Sequence, residues 1–246
     1  MVQTILLNLL RKNTMTKEKY SVSIHQPDFI PYFGFFNKIS KSETFVIMDN
    51  VQLSKSGWTH RDQIKTKRGV EWITIPIKKI KEKQLIKDVK IDEQKNWRQK
   101  HLNLIYENYK NSKYFDECFS IIKTIYNNET DSLLEFNLFA IKLLFKKLDI
   151  KPKIVFLSEL NVSGTKNQLL INILNKLDIK NYISGIGAKD FINLSEFKKK
   201  GLEVNYNEFK HPVYKQLYGN FICNLSIIDL LLNCGISNTK KFIYND

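Results

Sequence analysis

One strand-loop-helix segment near the start of the chain constrains the fold more than any other feature. Residues 20–24 form a short apolar run typical of a buried strand, and residues 31–42 have the apolar face of a helix. His25, Gln26 and Asp28 lie in the loop between them, which two prolines stiffen. Ligands bind at the carboxyl ends of strands in open α/β sheets, so this loop is a predicted site. Its histidine is a candidate general acid or base. The alternative is a histidine bonded to a backbone carbonyl and an aspartate that caps the helix.

A second apolar run, residues 44–49, follows the helix and ends in Asp49. Strand, helix and strand in this short space predict a parallel βαβ unit with a right-handed crossover. Parallel neighbours end at the same edge of a sheet, so we expect Asp49 to face the same crevice as His25, with Asn50 and Gln52 just beyond it. A carboxylate there suits amine, ribose or metal binding. The simpler interpretation is a turn residue, since Asp-Asn is favourable turn chemistry.

The remaining chain continues the alternation of strands and helices. Further short apolar runs predict three more strands, at residues 153–158, 181–184 and 202–206. Helical periodicity predicts three helices within residues 94–147 and two more at residues 165–177 and 226–233, the last stopped by Gly235.

These elements predict the α/β class. We expect a single parallel-rich sheet of the Rossmann-like type, with helices on both faces and an inserted helical layer at about residues 94–148. The first strand, Pro-containing loop, helix and second strand also resemble the start of the nucleotidyltransferase fold. Residues 20–246 are predicted to form one domain, and residues 1–19 a tail or extension. Residues 50–69 are predicted to form a long polar loop, and residues 71–77 an edge strand.

Charge and cysteine content limit the classes of function and compartment. The chain carries 39 Lys and Arg against 25 Asp and Glu, a formal charge of +14, which favours an anionic partner. Only four of these residues are arginine, so a lysine-rich composition also explains the excess of positive charge. A phosphate-bearing small substrate is compatible with either explanation.

Three cysteines without metal spacing argue against a disulfide framework, and no apolar run is long enough to span a membrane. An apolar patch that precedes the first basic pair has the wrong order for a signal peptide. We therefore expect a cytoplasmic protein and no metal site.

The polar stretch after the second strand supplies a second group of candidates. Trp58 offers a ring for stacking, His60 offers a second imidazole, and Arg61 and Lys65 offer two cations. Such a set suits a nucleotide or another phosphate-bearing ligand. The alternative is a surface loop with one aromatic side chain packed down.

Polar residues also follow the later predicted strands and precede the last helix. The candidates for substrate binding there are Thr165, Lys166, Ser184, Gly185, Lys189, Asp190, Tyr214 and Gln216. A helix start such as residues 163–166 can hold a phosphate on free backbone N–H groups, although no Walker sequence is present. Several polar turns at the carboxyl ends of parallel strands predict one shared cleft. Asp229 lies among apolar residues of the last helix and, if buried, needs a partner such as a lysine or a backbone group.

Several of these blocks resemble the WbqC-like protein family. They are residues 25–27, 31–36, 45–52, Trp58, Arg61, 182–185, 189–191, Tyr214, Gln216 and 226–235. The family occurs in bacterial gene clusters for O-antigen, lipopolysaccharide and other surface polysaccharides, and the resemblance implies transfer of glycine or another acyl group to an amino sugar. Where the family usually has Arg-Asn, this chain has Arg61-Asp62. The residue before Gln-Pro varies in the family, so the resemblance assigns no role to His25.

The leading hypothesis is therefore an aminoacyl (glycine) or acyl transferase that acts on a nucleotide-linked amino sugar in surface glycan biosynthesis. His25 or Asp49 would deprotonate the attacking ammonium, and Trp58, Arg61 and Lys65 would hold the nucleotide diphosphate. ATP or an aminoacyl donor, including a charged tRNA, is the expected cosubstrate. The alternatives are a non-catalytic nucleotide- or sugar-binding module and a tRNA- or RNA-binding protein.

Overall fold

Alternating strands and helices make up the protein, as the computed structural model of residues 20–244 shows; the predicted tail, residues 1–19, lies outside the described residues. The strands of the described chain are β1 Ser21–His25, β2 Thr44–Ile47, β3 Arg61–Thr66, β4 Gly69–Thr74, β5 Lys153–Phe156, β6 Asn181–Gly185 and β7 Glu203–Asn207. Its α-helices are α1 Phe33–Ser40, α2 Trp97–Tyr109, α3 Phe115–Tyr126, α4 Leu133–Leu148, α5 Lys166–Leu177, α6 Leu194–Lys199 and α7 Ile227–Tyr244. Within residues 20–244, none of the helices combines the length and the apolar character needed to cross a membrane. The predicted α/β class is confirmed.

The described chain divides into two compact units. The first, here called the sheet unit, comprises residues 20–25, 41–47 and 152–208. The second, here called the helical unit, comprises residues 26–40, 48–151 and 209–244.

All strands of the sheet unit run parallel. Their order is β5-β2-β1-β6-β7, and they are the five strands that the apolar runs predicted, each within two residues of the expected ends. Every residue of β2 and all but the last of β1 are buried, whereas the edge strands β5 and β7 have one buried residue each and include exposed positions. Continuous burial of the central strands is the pattern of a parallel sheet covered on both faces, because neither face can then carry polar side chains into water.

Parallel pairing aligns the carboxyl ends of neighbouring strands. Ser21 of β1 pairs with Asn181 of β6, and the register then carries both strands forward together. His25, the last residue of β1, and Gly185, the last of β6, therefore lie at the same edge of the sheet. This edge carries the sheet-unit candidates.

A two-stranded antiparallel hairpin, β3-β4, lies in the helical unit. The prediction of a loop over residues 50–69 was wrong in its second half, because residues 61–66 form β3. The predicted edge strand at residues 71–77 is β4, but it pairs only with β3 and is not part of the parallel sheet. Five of the six residues of β3 are polar, and three of these, Asp62, Lys65 and Thr66, are buried, so the composition concealed the strand.

Five helices and an aromatic cluster form the rest of the helical unit. Phe29, Trp97, Tyr126 and Phe136 are buried and stack edge-to-face or tilted against one another. Gly235, predicted to stop the last helix, interrupts α7 with φ of 77°, and helical structure then resumes. A Cβ atom at this position would lie 2.5 Å from the ring of Tyr114, so glycine is required both for the backbone conformation and for the close approach.

Candidate functional site

The turns at the carboxyl edge of the sheet unit hold one set of predicted residues. His25 is half-buried at the end of β1, and Ser184 is buried in β6 just before Gly185. The ammonium of Lys189 donates to Glu208 Oε1 at 2.7 Å and lies 5.2 Å from the ring centre of Tyr206. Tyr206 lies on β7 and Glu208 follows it directly, so these contacts hold the turn after β6 against the end of β7.

Thr165 and Lys166 are exposed at the start of α5. Thr165 is the N-cap residue but its side chain does not cap the helix, and Lys166 has a positive φ of 50°. The backbone N–H of Asn193 donates to the side-chain oxygen of Asn167 at 3.4 Å, so the segment after β6 reaches the first turn of α5. The sheet unit thus brings two of its predicted polar turns near each other.

A buried group of charged side chains, here called the buried-charge cluster, consists of Asp28, Lys38 and Asp62 in the helical unit. Asp28 is 8% exposed, Lys38 4% and Asp62 2%. Burial raises the pKa of the Asp28 carboxyl to about 7, against the opposing effects of the Lys38 charge and of a Thr59 hydrogen bond. Burial likewise lowers the pKa of the Lys38 ammonium to about 7, against the opposing charge of Asp28. An acid and an amine therefore change protonation state in the same range near neutral pH.

Asp62 extends this cluster with a second carboxyl group. Burial raises its pKa well above the usual range, and the negative charge of Asp28 adds to that effect. The backbone N–H of Gln63 donates to Asp62 Oδ1 at 2.6 Å and opposes it. Burial also raises the pKa of the Tyr32 hydroxyl, and the charges of both aspartates act in the same direction. These electrostatic effects place the tyrosine and the two aspartates in one region of the unit.

The loop that carries Asp28 is fixed by hydrogen bonds to residues 58–59 and to helix α4. The N–H of Phe29 donates to the carbonyl of Trp58 at 3.0 Å, and the Thr59 hydroxyl donates to Gln26 Oε1 at 3.1 Å. The buried amide of Asn137 donates to the carbonyl oxygens of both Pro27 and Thr59 at 2.7 Å. Gln26 and Asp28 are thus held by a rigid support, as a reacting group requires.

Trp58, Arg61 and Trp72 form a second feature of the helical unit, here called the tryptophan platform. The ring centres of Trp58 and Trp72 are 5.4 Å apart, and the two ring planes form an angle of 34°. The Arg61 guanidinium lies 4.3 Å from the ring centre of Trp72. Arg61 also donates to the carbonyl of Ser56 at 2.8 Å. His60 precedes Arg61; burial and the Arg61 charge lower its pKa, and its buried Nδ1 has no partner within residues 20–244.

Asp229 is bonded directly to Tyr109, Tyr214 and Gln216. Lys65 and the backbone of residues 220–222 join this group through Gln216 and through each other. The Asp229 carboxylate accepts hydrogen bonds from Tyr109 and Tyr214 at 2.7 Å and from Gln216 at 2.9 Å. Lys65 donates to Gln216 Oε1 at 3.1 Å and to the carbonyl of Asn220. Burial raises the pKa of Asp229, against these hydrogen bonds and the Lys65 charge.

This arrangement, here called the Asp229 network, supplies the hydrogen-bond partners that a buried aspartate needs. Asp229 is fully buried, and its partners are two tyrosines and a glutamine, with the predicted lysine one step further away. Within the network each polar group is satisfied, which is the property of a structural polar core. The predicted substrate-binding role of Lys65, Tyr214 and Gln216 stays a prediction.

Asp49, Asn50 and Gln52 lie in the helical unit just after β2. Asp49 is buried, and its carbonyl accepts a hydrogen bond from the N–H of Lys87 at 3.0 Å. Asn50 and Gln52 are exposed, and Gln52 forms an isolated bridge with Leu85. These contacts anchor the basic segment around residues 84–87, and the role of Asp49 as a base stays a prediction.

Each unit therefore gathers its own group of predicted residues. The sheet unit holds His25, Thr165, Lys166, Ser184, Gly185, Lys189 and Asp190, and the other candidates lie in the helical unit. The single shared cleft stays a prediction. Sequence reasoning missed Lys38, Asp62 and Trp72, all of which have clear roles in the geometry. Lys38 lies on a helix whose buried face is otherwise mostly apolar. Asp62 lies on β3, which was predicted to be a loop, and Trp72 lies on β4.

Comparison with known proteins gives one family. The model of the WbqC-like protein family matches residues 26–241, which is most of the chain. The uncharacterized protein Rv1507c of Mycobacterium tuberculosis is 29% identical over 217 residues, which cover 87% of this chain and 94% of that protein. No solved structure matches the chain significantly.

Proposed function

The chain belongs to the WbqC-like protein family, and we propose that it transfers an activated acyl group to the amine of a nucleotide-linked amino sugar, with Asp28 as the general base. The glycyl group is the acyl group that the family resemblance implies. The role of base thereby moves from His25 or Asp49 to a residue that the sequence indicated as a substrate contact.

The observation that carries the proposal is the pKa of Asp28, which burial raises to about 7. A sugar amine is protonated near neutral pH and becomes a nucleophile only after it loses a proton. A general base is most effective when its pKa lies close to the working pH, because it is then both ionised and basic enough to accept a proton. An exposed aspartate, with an ordinary pKa near 3.8, is too weak a base for this step.

The proposed reaction balances in two proton transfers. Asp28 takes the first proton from the ammonium and later releases it to water. The free amine forms a C–N bond with the acyl carbon, the bond from that carbon to the leaving oxygen breaks, and the departing oxygen takes the second proton. Two classes of donor fit this chemistry: an acyl adenylate made from ATP, and an aminoacyl ester of tRNA.

Lys38 has a positioning role in this scheme. Its positive charge favours the ionised form of Asp28, and because burial lowers the Lys38 pKa to about 7 this support is present below neutral pH and weakens above it. A buried carboxylate without such a partner would be strongly disfavoured. Burial also raises the pKa of Asp62 well above its usual range, so this carboxyl resists ionisation more than an exposed aspartate does.

The test is turnover of nucleotide-linked amino sugars with two donor systems, glycine plus ATP and glycyl-tRNA. We expect product with one of them, detected as the acylated sugar by mass spectrometry. Asp28→Asn should lower kcat by about 10²- to 10⁴-fold, the usual contribution of a general base. The matched control is Asp116→Asn, an exposed aspartate of the same unit, which should leave kcat unchanged.

Two further variants separate Asp28 from the bases that the sequence predicted. His25→Gln and Asp49→Asn should retain most of the activity if Asp28 is the base. Loss of activity in either of them, with Asp28→Asn still active, would move the base to that residue. Tight binding of a nucleotide-linked amino sugar with no turnover from either donor would instead identify a non-catalytic binding module.

A further inference from the structure

The tryptophan platform exposes more aromatic surface than the fold of the helical unit requires. Trp58 is 44% exposed and Trp72 is 43% exposed, whereas the remaining tryptophan, Trp97, is 3% exposed. Two large aromatic side chains that touch each other and face solvent form a contiguous apolar patch, and such patches mark binding surfaces. Tryptophan is also the side chain that most often dominates binding energy.

The platform is fixed before any ligand arrives. Trp72 lies on β4 directly opposite Gln63 of β3, so the hairpin ladder sets its position. The carbonyl of Trp58 accepts the N–H of Phe29, and the turn before Trp58 is closed by a hydrogen bond from Gly57 to Ser54 at 3.1 Å. A rigid aromatic surface loses little conformational entropy on binding, which favours affinity.

Arg61 gives the platform a charged rim. Its guanidinium stacks on Trp72 and donates one hydrogen bond to the carbonyl of Ser56. Within residues 20–244 no carboxylate pairs with this guanidinium, and its buried Nε has no hydrogen-bond partner. A phosphate is the group whose charge and geometry match an arginine held in this way.

We propose that the platform binds the pyranose ring and the adjoining phosphate of an amino sugar phosphate, the part that all nucleotide-linked amino sugars share. The apolar C–H face of the sugar packs on the indole of Trp58 or Trp72, and the phosphate on its anomeric carbon pairs with Arg61. An ammonium substituent on the sugar ring adds a cation–π attraction to the face of a tryptophan ring.

The position of Trp58 favours the sugar over the nucleobase as the stacked ring. The indole ring centres are 5.4 Å apart, so a ligand ring packs on the outer face of the pair and not between the two indoles. The backbone of Trp58 is bonded to Phe29, the residue after Asp28. The ring nearest to the proposed base must be the ring that carries the amine, so this step rests on the proposed function.

The test uses equilibrium binding without any acyl donor. Glucosamine 1-phosphate is the probe, and uridine monophosphate and inorganic phosphate are the comparison ligands. Binding is followed by the change in tryptophan fluorescence, because a ligand can contact the exposed Trp58 and Trp72 whereas the buried Trp97 contributes a constant background. We expect saturable quenching by glucosamine 1-phosphate at lower concentration than by either comparison ligand.

Variants assign the binding to the platform. Trp72→Ala and Trp58→Ala should each weaken glucosamine 1-phosphate binding at least tenfold in calorimetry, and Trp72→Phe should restore part of the loss. The matched control is Tyr106→Ala, an aromatic residue of the same unit that is also 44% exposed, and it should bind as the unchanged protein does. Folding of each variant is checked by circular dichroism.

Two results would overturn the assignment. One is absence of saturable binding by glucosamine 1-phosphate to the unchanged protein. The other is an equal or larger effect of Trp72→Ala on uridine monophosphate, which would place the base on the platform. The proposed transfer reaction fails separately: intact sugar-phosphate binding with no turnover rejects the reaction alone, and turnover that survives Trp72→Ala at unchanged KM rejects the platform alone.

Discussion

Asp28 and Lys38 are an oppositely charged pair in which burial moves both pKa values to about 7. Both side chains are more than nine-tenths buried, so neither can be stabilised by water. The attraction between the two charges only partly offsets this cost, because burying an ion pair removes the hydration of both partners. The pair is therefore poised to exchange a proton near neutral pH.

The pH dependence of stability gives a first prediction for Asp28. Its pKa is raised in the folded state, so its stabilising contribution is complete below the ordinary value of 3.8 and is lost as pH rises through about 7. Asp28→Asn removes this dependence, so the free energy of unfolding of the variant should rise relative to the unchanged protein between pH 4 and pH 7. The slope cannot exceed about 1.4 kcal/mol per pH unit, the value for one proton. Urea unfolding at four pH values measures it, and parallel curves would contradict the assigned pKa.

Asp62→Asn should stabilise the protein at neutral and alkaline pH. Burial raises the pKa of Asp62 well above its usual range, so folding opposes ionisation of this carboxyl as pH rises above 3.8. Asparagine keeps the oxygen that accepts the Gln63 N–H and carries no charge to bury. The melting temperature of the variant should exceed that of the unchanged protein at pH 8 and approach it at pH 4. A lower melting temperature at pH 8 would show that the ionised carboxyl is well solvated or paired.

The Asp229 network predicts an unequal effect of two neighbouring lysines on stability. Lys65→Met removes the cation near buried Asp229 and leaves Gln216 without one donor, so it should cost about 3 kcal/mol or more of unfolding free energy. Lys67 lies two residues further along the hairpin and is exposed, and Lys67→Met should change stability by less than about 0.5 kcal/mol. Urea unfolding of both variants checks the contrast, and equal effects would show that the network does not depend on its lysine.

The parallel sheet could be predicted from the sequence because its central strands are buried on both faces. Such strands appear as continuous apolar runs, as in residues 44–47, and a run of this kind has few alternative structures. The strand β3 could not be recognised in this way. Its sequence, Arg-Asp-Gln-Ile-Lys-Thr, is mostly polar, and its buried Lys65 is held by a tertiary contact with Gln216 that no local pattern reveals.

The same limit applies to the candidate site. Asp28 could be selected from its position after a strand, but its raised pKa comes from burial in the folded unit, which the charge of Lys38, ten positions later, only partly offsets. Trp58 and Arg61 were recognisable as chemically capable residues. Their partner Trp72 comes beside them only through the β3-β4 register, so the platform could not be seen before the hairpin was known.

The pH dependence of catalysis provides the last prediction. If Asp28 is the base, it must be ionised before the amine attacks, so kcat/KM should rise with pH and level off above the Asp28 pKa of about 7. In Lys38→Met the cation that lowers this pKa is absent, so the midpoint should move to higher pH, while the plateau changes less. Lys41→Met, an exposed lysine of the chain, serves as the control and should leave the midpoint in place. Two results would contradict this role for Asp28: a value of kcat/KM that does not change between pH 5 and pH 9, or a midpoint that is the same in Lys38→Met and in the unchanged protein. Either result would return the role of base to His25 or Asp49.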